Sequence, residues 1–414
     1  MGKQTTNGSE ESRVVWDNLE EWARMKVQQF IQSLLEEEIT ELLGREKSER
    51  RKGVDSPTVY RNGHGKARKL TLGCGTVTVS RPRVRGLEER FESRVLPLFA
   101  RRTKEVGQLI PQLYLHGLAL GDFDLALRGL LGEEAPVSAS TVARLKEQWQ
   151  AEWEQWRKRN LEGLEVVYVW VDGVYVKAGL EKEKAALLVI IGGLSDGRKI
   201  VLAAEPGYRE STESWSEVLR DLKERGMNCP RLVVGDGRLG IWGALSNVYP
   251  NALEQRCWNH KILNVLDKLP KKAQPKAKRQ LQDIAYSESL QQAEEKRDLF
   301  VQWCETEGHH RAGQALVRDW ERMMTFHQFP KEHWKHLRTT NVVESPFAAL
   351  RLRTNAAKRY KRVENATAVI WKMLMLAEQK FRRLDAPEKM RMGYLGFSFE
   401  QSPEPEQEEV LAAV

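Results

Sequence analysis

Cysteine is scarce in this chain: there are four in 414 residues, Cys74, Cys229, Cys257 and Cys304, with no paired spacing. That scatter argues against a disulfide framework and against a thiolate zinc cluster, and it fits a reducing compartment. No apolar run approaches the roughly 18 residues that a membrane helix needs, and the mean hydropathy is −0.55, so no transmembrane span is expected. The first 13 residues are polar and hold no apolar core of a secretory signal, which makes the cytoplasm the expected location. What the chain has in abundance is charge: 66 basic and 58 acidic side chains, a net of +8, beside a 41% hydrophobic fraction. A chain this long with that apolar content is expected to form about two to three domains with cores of their own.

The positive excess is concentrated. Residues 45–104 carry 17 basic against 6 acidic side chains, residues 338–383 carry 11 against 3, and residues 261–279 carry 7 against 1. Residues 400–414, in contrast, hold five Glu and no basic residue. Any one such cluster reads equally well as a solvated helix face, but three together point to a polyanion such as nucleic acid.

From Val14 to Leu43, apolar residues (Leu19, Trp22, Phe30, Ile31, Leu34, Leu35, Ile39, Leu42) recur at three- and four-residue steps. This predicts an amphipathic helix with an acidic outer face, used for a dimer contact or for core packing. After Arg61-Asn62-Gly63, the alternation from Leu70 to Ser80 predicts a β-hairpin turning at its glycines, followed by Arg81, Arg83 and Arg85 on one side. Those arginines suit phosphate contact or a solvated edge. Residues 103–156 read as helices with a break around residues 131–136, and the Ser-rich start at 138–141 gives either a helix-turn-helix or a plain helical hairpin.

Beyond Gly163 the chain becomes β-branched and aromatic. Val166 to Val176 predicts a buried strand interrupted by Asp172, and strands over 186–192 and 199–204 complete a three-strand meander. A helix over 211–225, a strand over 231–237 ending in Asp236, a helix over 239–248 and a short strand at 255–257 complete an α/β sheet. A carboxylate in a buried strand is costly unless it is paired or binds a metal, and two such strands in one sheet suggest a shared Mg²⁺ or Mn²⁺. Each Asp is followed by Gly, so a plain turn residue is the alternative at both positions. Cys257 and His260 have no second ligand pair nearby, which favours a packed cysteine with a hydrogen-bonded histidine. His333 and His336 read as polar helix residues or DNA contacts.

Taken in order, Asp172-Gly173-Val174-Tyr175, Gly235-Asp236-Gly237, Cys257-Trp258-Asn259-His260 and Thr340-Asn341-Val342-Val343-Glu344-Ser345 resemble the Mutator-type transposases of bacterial insertion sequences. The resemblance spans nearly the whole chain, including Arg61-Asn62-Gly63 and Arg81-Pro82-Arg83. It implies an α/β RNase H-like catalytic domain with an all-α insertion, preceded by a mainly helical N-terminal DNA-binding region containing a β-hairpin. It also implies that Asp172, Asp236 and Glu344 form a DDE triad holding two Mg²⁺ or Mn²⁺ ions, with Cys257 and His260 in the active-site wall. Glu344 lies 108 positions after Asp236, and the segment between them then contains the helical insertion.

The organisation expected on this basis begins with an N-terminal helix (1–55), a basic hairpin region (56–100) and a helix-turn-helix-like region (101–160). The first part of the catalytic core (161–265), the insertion (266–337), the last core helices (338–385) and a disordered acidic tail (386–414) follow. Arg61, Arg81, Arg83, Arg85, Ser140, Arg144, Arg351, Arg353, Lys358 and Arg359 are the candidate DNA contacts. Arg351, seven residues past Glu344, would share its helix face if one helix ran through both. Pro346 leaves two geometries open: Ser345 caps a helix that starts after Glu344, or Thr340 caps one that Pro346 kinks. The implied partners are double-stranded DNA, as transposon ends and target, and a second copy of the chain. The implied activity is cleavage and strand transfer at terminal inverted repeats by a copy-out, paste-in route. The rival readings are an RNase H-like nuclease without strand transfer and a non-catalytic, transposase-derived DNA-binding regulator.

Overall fold

The computed structural model describes residues 16–50, 59–89, 91–119, 121–132, 139–178, 185–207, 209–237 and 240–395. The chain packs as two compact units, Met1–Leu145 and Lys146–Val414. The start of the predicted first helix (14–15), the turn at 133–138 and the tail at 396–414 lie outside the described residues.

In the first unit, helix α1 (Leu19–Leu43) precedes strands β1 (Tyr60–His64), β2 (Arg68–Leu72), β3 (Gly75–Val79) and β4 (Pro82–Arg85), then α2 (Lys104–Leu115) and α3 (Phe123–Leu131). β2 and β3 form the predicted hairpin, with Leu72 opposite Gly75. The strands outside it, β1 and β4, pair with each other and make a second two-stranded sheet. α1 packs as core: Leu35 with Leu70, Val77, Val79 and Leu96, then Ile39 and Leu43 with Val59. Its glutamines complete the edge of the hairpin, since Gln28 accepts from Thr78 N (3.1 Å) and Gln32 both accepts from Ser80 N (3.0 Å) and donates to Ser80 O (2.9 Å). A strand edge left bare would template association.

The acids of α1 do not all face outward, as its pattern predicted. Glu36 binds Arg61 (3.0 Å) and His64 (2.6 Å), while Glu38 is buried and accepts from Ser93 Oγ and Arg94 N, both at 2.5 Å. Helical periodicity identifies which residues share a face, but it cannot reveal that a distant strand supplies donors to the polar one.

Helix α4 (Ala139–Trp156) ends in the second unit, where Trp153 donates to Ala204 O (3.1 Å) and Trp156 stacks obliquely on Trp371. The sheet there contains β5 (Val166–Val176), β6 (Ala185–Leu194), β7 (Lys199–Gly207), β8 (Leu232–Gly235) and β9 (Leu253–Arg256), in the order β7-β6-β5-β8-β9. β7, β6 and β5 are the antiparallel meander; β8 and β9 are added parallel to β5. Residues Val166 to Val171 are all buried, as a central strand covered on both faces requires. On one face, Val169 and Val171 pack against α5 (Thr212–Glu224) and α6 (Ile241–Val248), through Trp215, Leu219, Leu222 and Leu245.

The other face carries Tyr168 and Trp170 and is covered by helices from the C-terminal half. After α7 (Trp258–Leu266) come α8 (Gln274–Ala285), α9 (Leu290–Thr306), α10 (His310–Val317), α11 (Trp320–Met324) and α12 (Trp334–Leu337). The chain ends its described part with α13 (Asn341–Glu344), α14 (Phe347–Ala357), α15 (Val363–Glu378) and α16 (Pro387–Tyr394). His333 is 1% exposed: it meets Tyr168 Oη at 2.8 Å and Ala386 O at 3.1 Å, so it is packed in this layer and reaches neither solvent nor DNA. The expected acidic tail also starts differently, because residues 387–394 form α16 with Met390 buried beneath it. A buried methionine supplies apolar contact that the tail's overall charge had concealed.

Candidate active site

The register of the parallel strands positions the acids. Trp170 lies opposite Val234, and β8 stops at Gly235, so Asp236 leaves the sheet beside Asp172. One strand further, Gly235 pairs with Arg256, and Cys257 N donates to Gly235 O at 2.8 Å. Cys257 then opens α7, which carries His260 one turn along. Alternation places Asp172 on the face of Tyr168 and Trp170, where α13 packs on β5 and β6 and presents Glu344 at its last position.

Of the two geometries left open at Pro346, the second is the nearer: Thr340 occupies the cap position of α13, and the helix is broken at Ser345-Pro346 before α14 begins. Arg351 therefore belongs to a different helix from Glu344, and the shared-face expectation fails, because a proline cannot continue the hydrogen-bond ladder. Thr340 is fully buried. Its hydroxyl donates to Glu344 Oε1 and meets Cys257 Sγ at 3.1 Å, while its backbone N–H also points at that sulfur, at 3.3 Å. His260 Nδ1 stands 3.9 Å from Glu344 Oε1.

Among the described residues, Cys257, His260 and Glu344 form a group whose ligand atoms lie within 4.8 Å of one another. Two buried polar atoms of the site, Asp236 Oδ1 and His260 Nδ1, have no hydrogen-bond partner. Burial pushes the Asp172 carboxyl up to about 6; the Gly173 amide opposes this, and the nearby charges of Glu344 and Asp236 add to it. The neighbouring Cys257 sulfur, reinforced by Asp236 and Glu344, raises His260 to about 9 against the effect of burial, so the imidazole is cationic at neutral pH.

Sequence reading missed a fourth acid. Glu210 lies in the link between β7 and α5, its backbone oxygen accepting from Gly240 N at 3.0 Å and its carboxylate accepting from the Tyr175 hydroxyl. Burial and the neighbouring Asp172 raise it to about 7. Nothing in Arg209-Glu210-Ser211-Thr212 distinguishes it from an ordinary residue before a capped helix, and Ser211 does cap α5 through Ser214 N (3.2 Å). Past Glu210, Tyr175, Lys177, Thr354, Asn355 and Lys358 line a cleft of about 490 Å³.

The predicted DNA contacts separate into groups. In the first unit Arg81 and Arg83 join Lys66, Arg68, Arg101 and the exposed Phe99 around a cavity of about 670 Å³. Arg85 and Arg144 are exposed, whereas Arg61 is bound to Glu36 and to Thr40 Oγ1 (2.6 Å) on α1. In the second unit Arg351, Lys358 and Arg359 are exposed, but Arg353 is 2% exposed, its guanidinium enclosed by protein. Ser140 stands in the first turn of α4.

A mixed α/β fold with ordered acids just past the point where two parallel strands stop pairing, together with a basic N-terminal segment, fits a DNA-processing protein, and comparison with known proteins specifies which. The chain belongs to the Mutator family of transposases, whose family description matches residues 3–383. It is 41% identical over 297 residues to the transposase for insertion sequence element IS6120 of Mycolicibacterium smegmatis, covering 71% of this chain and 91% of that protein. The transposase for IST2 of Acidithiobacillus ferrooxidans is 39% identical over 276 residues, 66% of this chain and 93% of its own length. The transposase for IS256 in transposon Tn4001 of Staphylococcus aureus is 25% identical over 345 residues, 83% and 86% respectively. Among the described residues, no helix is long and apolar enough to cross a membrane.

Proposed function

We propose that the chain is a DDE transposase that binds the terminal inverted repeats of an insertion sequence and catalyses metal-dependent strand cleavage and strand transfer. The observation that carries the reading is the register that sets Asp236 beside Asp172, with Glu344 facing them from α13. The RNase H-like assignment is supported by an antiparallel meander extended by two parallel strands, with the acids at the carboxyl end of the parallel pair.

The donor set fits Mg²⁺ or Mn²⁺. Asp172, Asp236 and Glu344 offer hard oxygens, and Asp236 Oδ1 is buried with no partner of its own. Two such ions would activate the attacking oxygen and stabilise the leaving oxygen of an in-line displacement at phosphorus. The chain's own side chains do the rest. Thr340 holds Glu344 in place, cationic His260 offsets carboxylate and phosphate charge, and the exposed Arg351, Lys358 and Arg359, which follow Glu344 in sequence, are the proposed phosphate contacts. Arg81, Arg83 and their basic neighbours are the proposed contacts for the transposon end, with Arg85 next to them in sequence and Ser140 and Arg144 on α4; Arg61 and Arg353 are left to structural roles. Pairing two ends calls for at least a dimer. The copy-out, paste-in route and a cytoplasmic, nucleoid-associated site of action are parts of the same proposal.

The decisive experiment uses purified protein with Mg²⁺ on duplexes made from the DNA flanking its own gene, wild type beside Asp172→Asn and Asp236→Asn. Joined ends from wild type alone, with binding retained by both variants, are expected. Cleavage by either variant at the wild-type rate would sink the triad. Cut but never joined DNA would favour the nuclease, and binding without any cut product would favour the regulator.

A further inference from the structure

Gly173 is an interior strand residue, paired with Leu188 of β6, and its φ is not positive, so no turn explains the absence of a side chain there. The structure offers another reason. A Cβ built on Gly173 would fall 1.7 Å from Glu210 Oε1 and 2.6 Å from its carboxyl carbon. The carboxylate of Glu210 thus occupies the space that any other residue's side chain would fill, directly against the backbone that follows Asp172.

Three further constraints hold it there. Gly240 N fixes the Glu210 backbone to the loop that follows Asp236, the Tyr175 hydroxyl donates to the carboxylate, and Ser211 starts α5 immediately behind it. A Cβ on Gly240 would likewise strike Thr212 N at 2.2 Å, so Gly240, at the start of α6, and the start of α5 are in close backbone contact. The charged groups acting on Glu210 are Asp172, Asp236 and His260. One imidazolium does not offset that many carboxylates in a half-buried site, which makes a cation the physical complement. The unpartnered Asp236 Oδ1 is independent evidence of an absent ligand in the same place.

We propose that Glu210 is a fourth carboxylate of the metal site, admitted to it by the missing side chain of Gly173 and oriented by Tyr175. This inference rests on the metal-dependent reading above. Two divalent ions carry four positive charges, and Asp172, Asp236, Glu344 and Glu210 together carry four negative ones, so Glu210 matches the charge of the ions and leaves the His260 imidazolium to face the DNA phosphate. Tyr175 is a positioning residue, acting on the metal only through Glu210.

The test is Mn²⁺ binding by the full-length protein without DNA, followed by calorimetry and by the electron paramagnetic resonance signal of the bound ion, with metal-free melting as the check on folding. Wild type is expected to bind Mn²⁺, with Asp236→Asn as the reference loss. Glu210→Gln, which keeps size and the Tyr175 contact, should weaken binding by about 10- to 100-fold or remove one ion. Gly173→Ala should reproduce that loss with Glu210 still present, and Tyr175→Phe should give a smaller one. Wild-type Mn²⁺ binding by Glu210→Gln, while Asp236→Asn loses it, would overturn the fourth ligand and leave the transposase reading intact. No Mn²⁺ binding by the wild type would overturn both. Should Gly173→Ala fail to fold, Glu210→Gln decides alone.

Discussion

Thr340 joins more of the site than any other small side chain. One hydroxyl serves both Glu344 and Cys257, and the residue is fully buried, so Thr340→Val keeps the shape and removes the donor. Leaving Glu344 without this donor is expected to cost about 1–3 kcal/mol of stability, while the Thr340 N–H still faces Cys257 Sγ. Cleavage should slow as Glu344 loses its anchor, while affinity for DNA stays unchanged; thermal melting and a gel assay of binding and cutting check both halves. Glu205 carries the clearest pH dependence away from the site. It is 5% exposed, its Oε2 meets Arg157 at 2.9 Å, and burial still lifts its carboxyl to about 7. A folded pKa above the unfolded one means that the protonated acid is the stable form inside, so stability is lost as pH climbs from about 4.5 to about 7. Glu205→Gln lacks that loss. Its melting temperature relative to wild type should therefore rise steadily across the same interval, and a pH-independent difference would refute the argument. None of these partnerships is visible in sequence: Thr340 precedes Glu344 by one helical turn, but Cys257 lies 83 residues away.

Strands and helices were legible in proportion to how strongly burial dictated their composition. β5 was predicted over the residues it occupies, because a strand covered on both faces admits little but β-branched and aromatic side chains. The β2–β3 hairpin was legible for the same reason together with its glycine turn. The pairing of β1 with β4 was not, since it joins segments separated by the whole hairpin and leaves no local pattern. It matters for DNA binding: Arg81 and Arg83 come beside Lys66, Arg68 and Arg101 only because those two sheets and the following loop converge. Replacing Arg81 and Arg83 together by Ala is expected to flatten the salt dependence of DNA binding by about two units of slope. Arg81 also donates to Phe91 O at 3.2 Å, so a melting curve must accompany the titration. An unchanged slope in a folded variant would remove this cavity from the interface.

Over the entire chain, charge and topology act together. The basic excess of residues 45–104 belongs to the first unit, and the acids that the catalytic reading requires belong to the second. A site that concentrates carboxylates around an unpartnered Asp236 oxygen is destabilising in the metal-free protein. Mn²⁺ or Mg²⁺ should therefore raise the melting temperature, by an amount corresponding to about 2.7 kcal/mol when the ion exceeds its dissociation constant a hundredfold. The increase should shrink in Asp236→Asn. Equal increases in both proteins would place the stabilising ion elsewhere.

The amino-acid sequence by itself determined the buried central strand, the helical C-terminal half and the identities of Asp172 and Asp236 as candidate ligands, with Glu344 added by the family resemblance of its motif. Each of these follows from local composition or from a short ordered motif, which the chain carries whether folded or not. Only the tertiary structure decided which side chains meet. It set Asp236 beside Asp172 through strand register, broke the helix at Pro346, enclosed Arg353, tied Arg61 to α1 and brought Glu210 into the gap left by Gly173. The physical reason is common to all of them: contacts between segments far apart in the chain depend on how complete elements pack, and packing leaves no periodicity in any one segment.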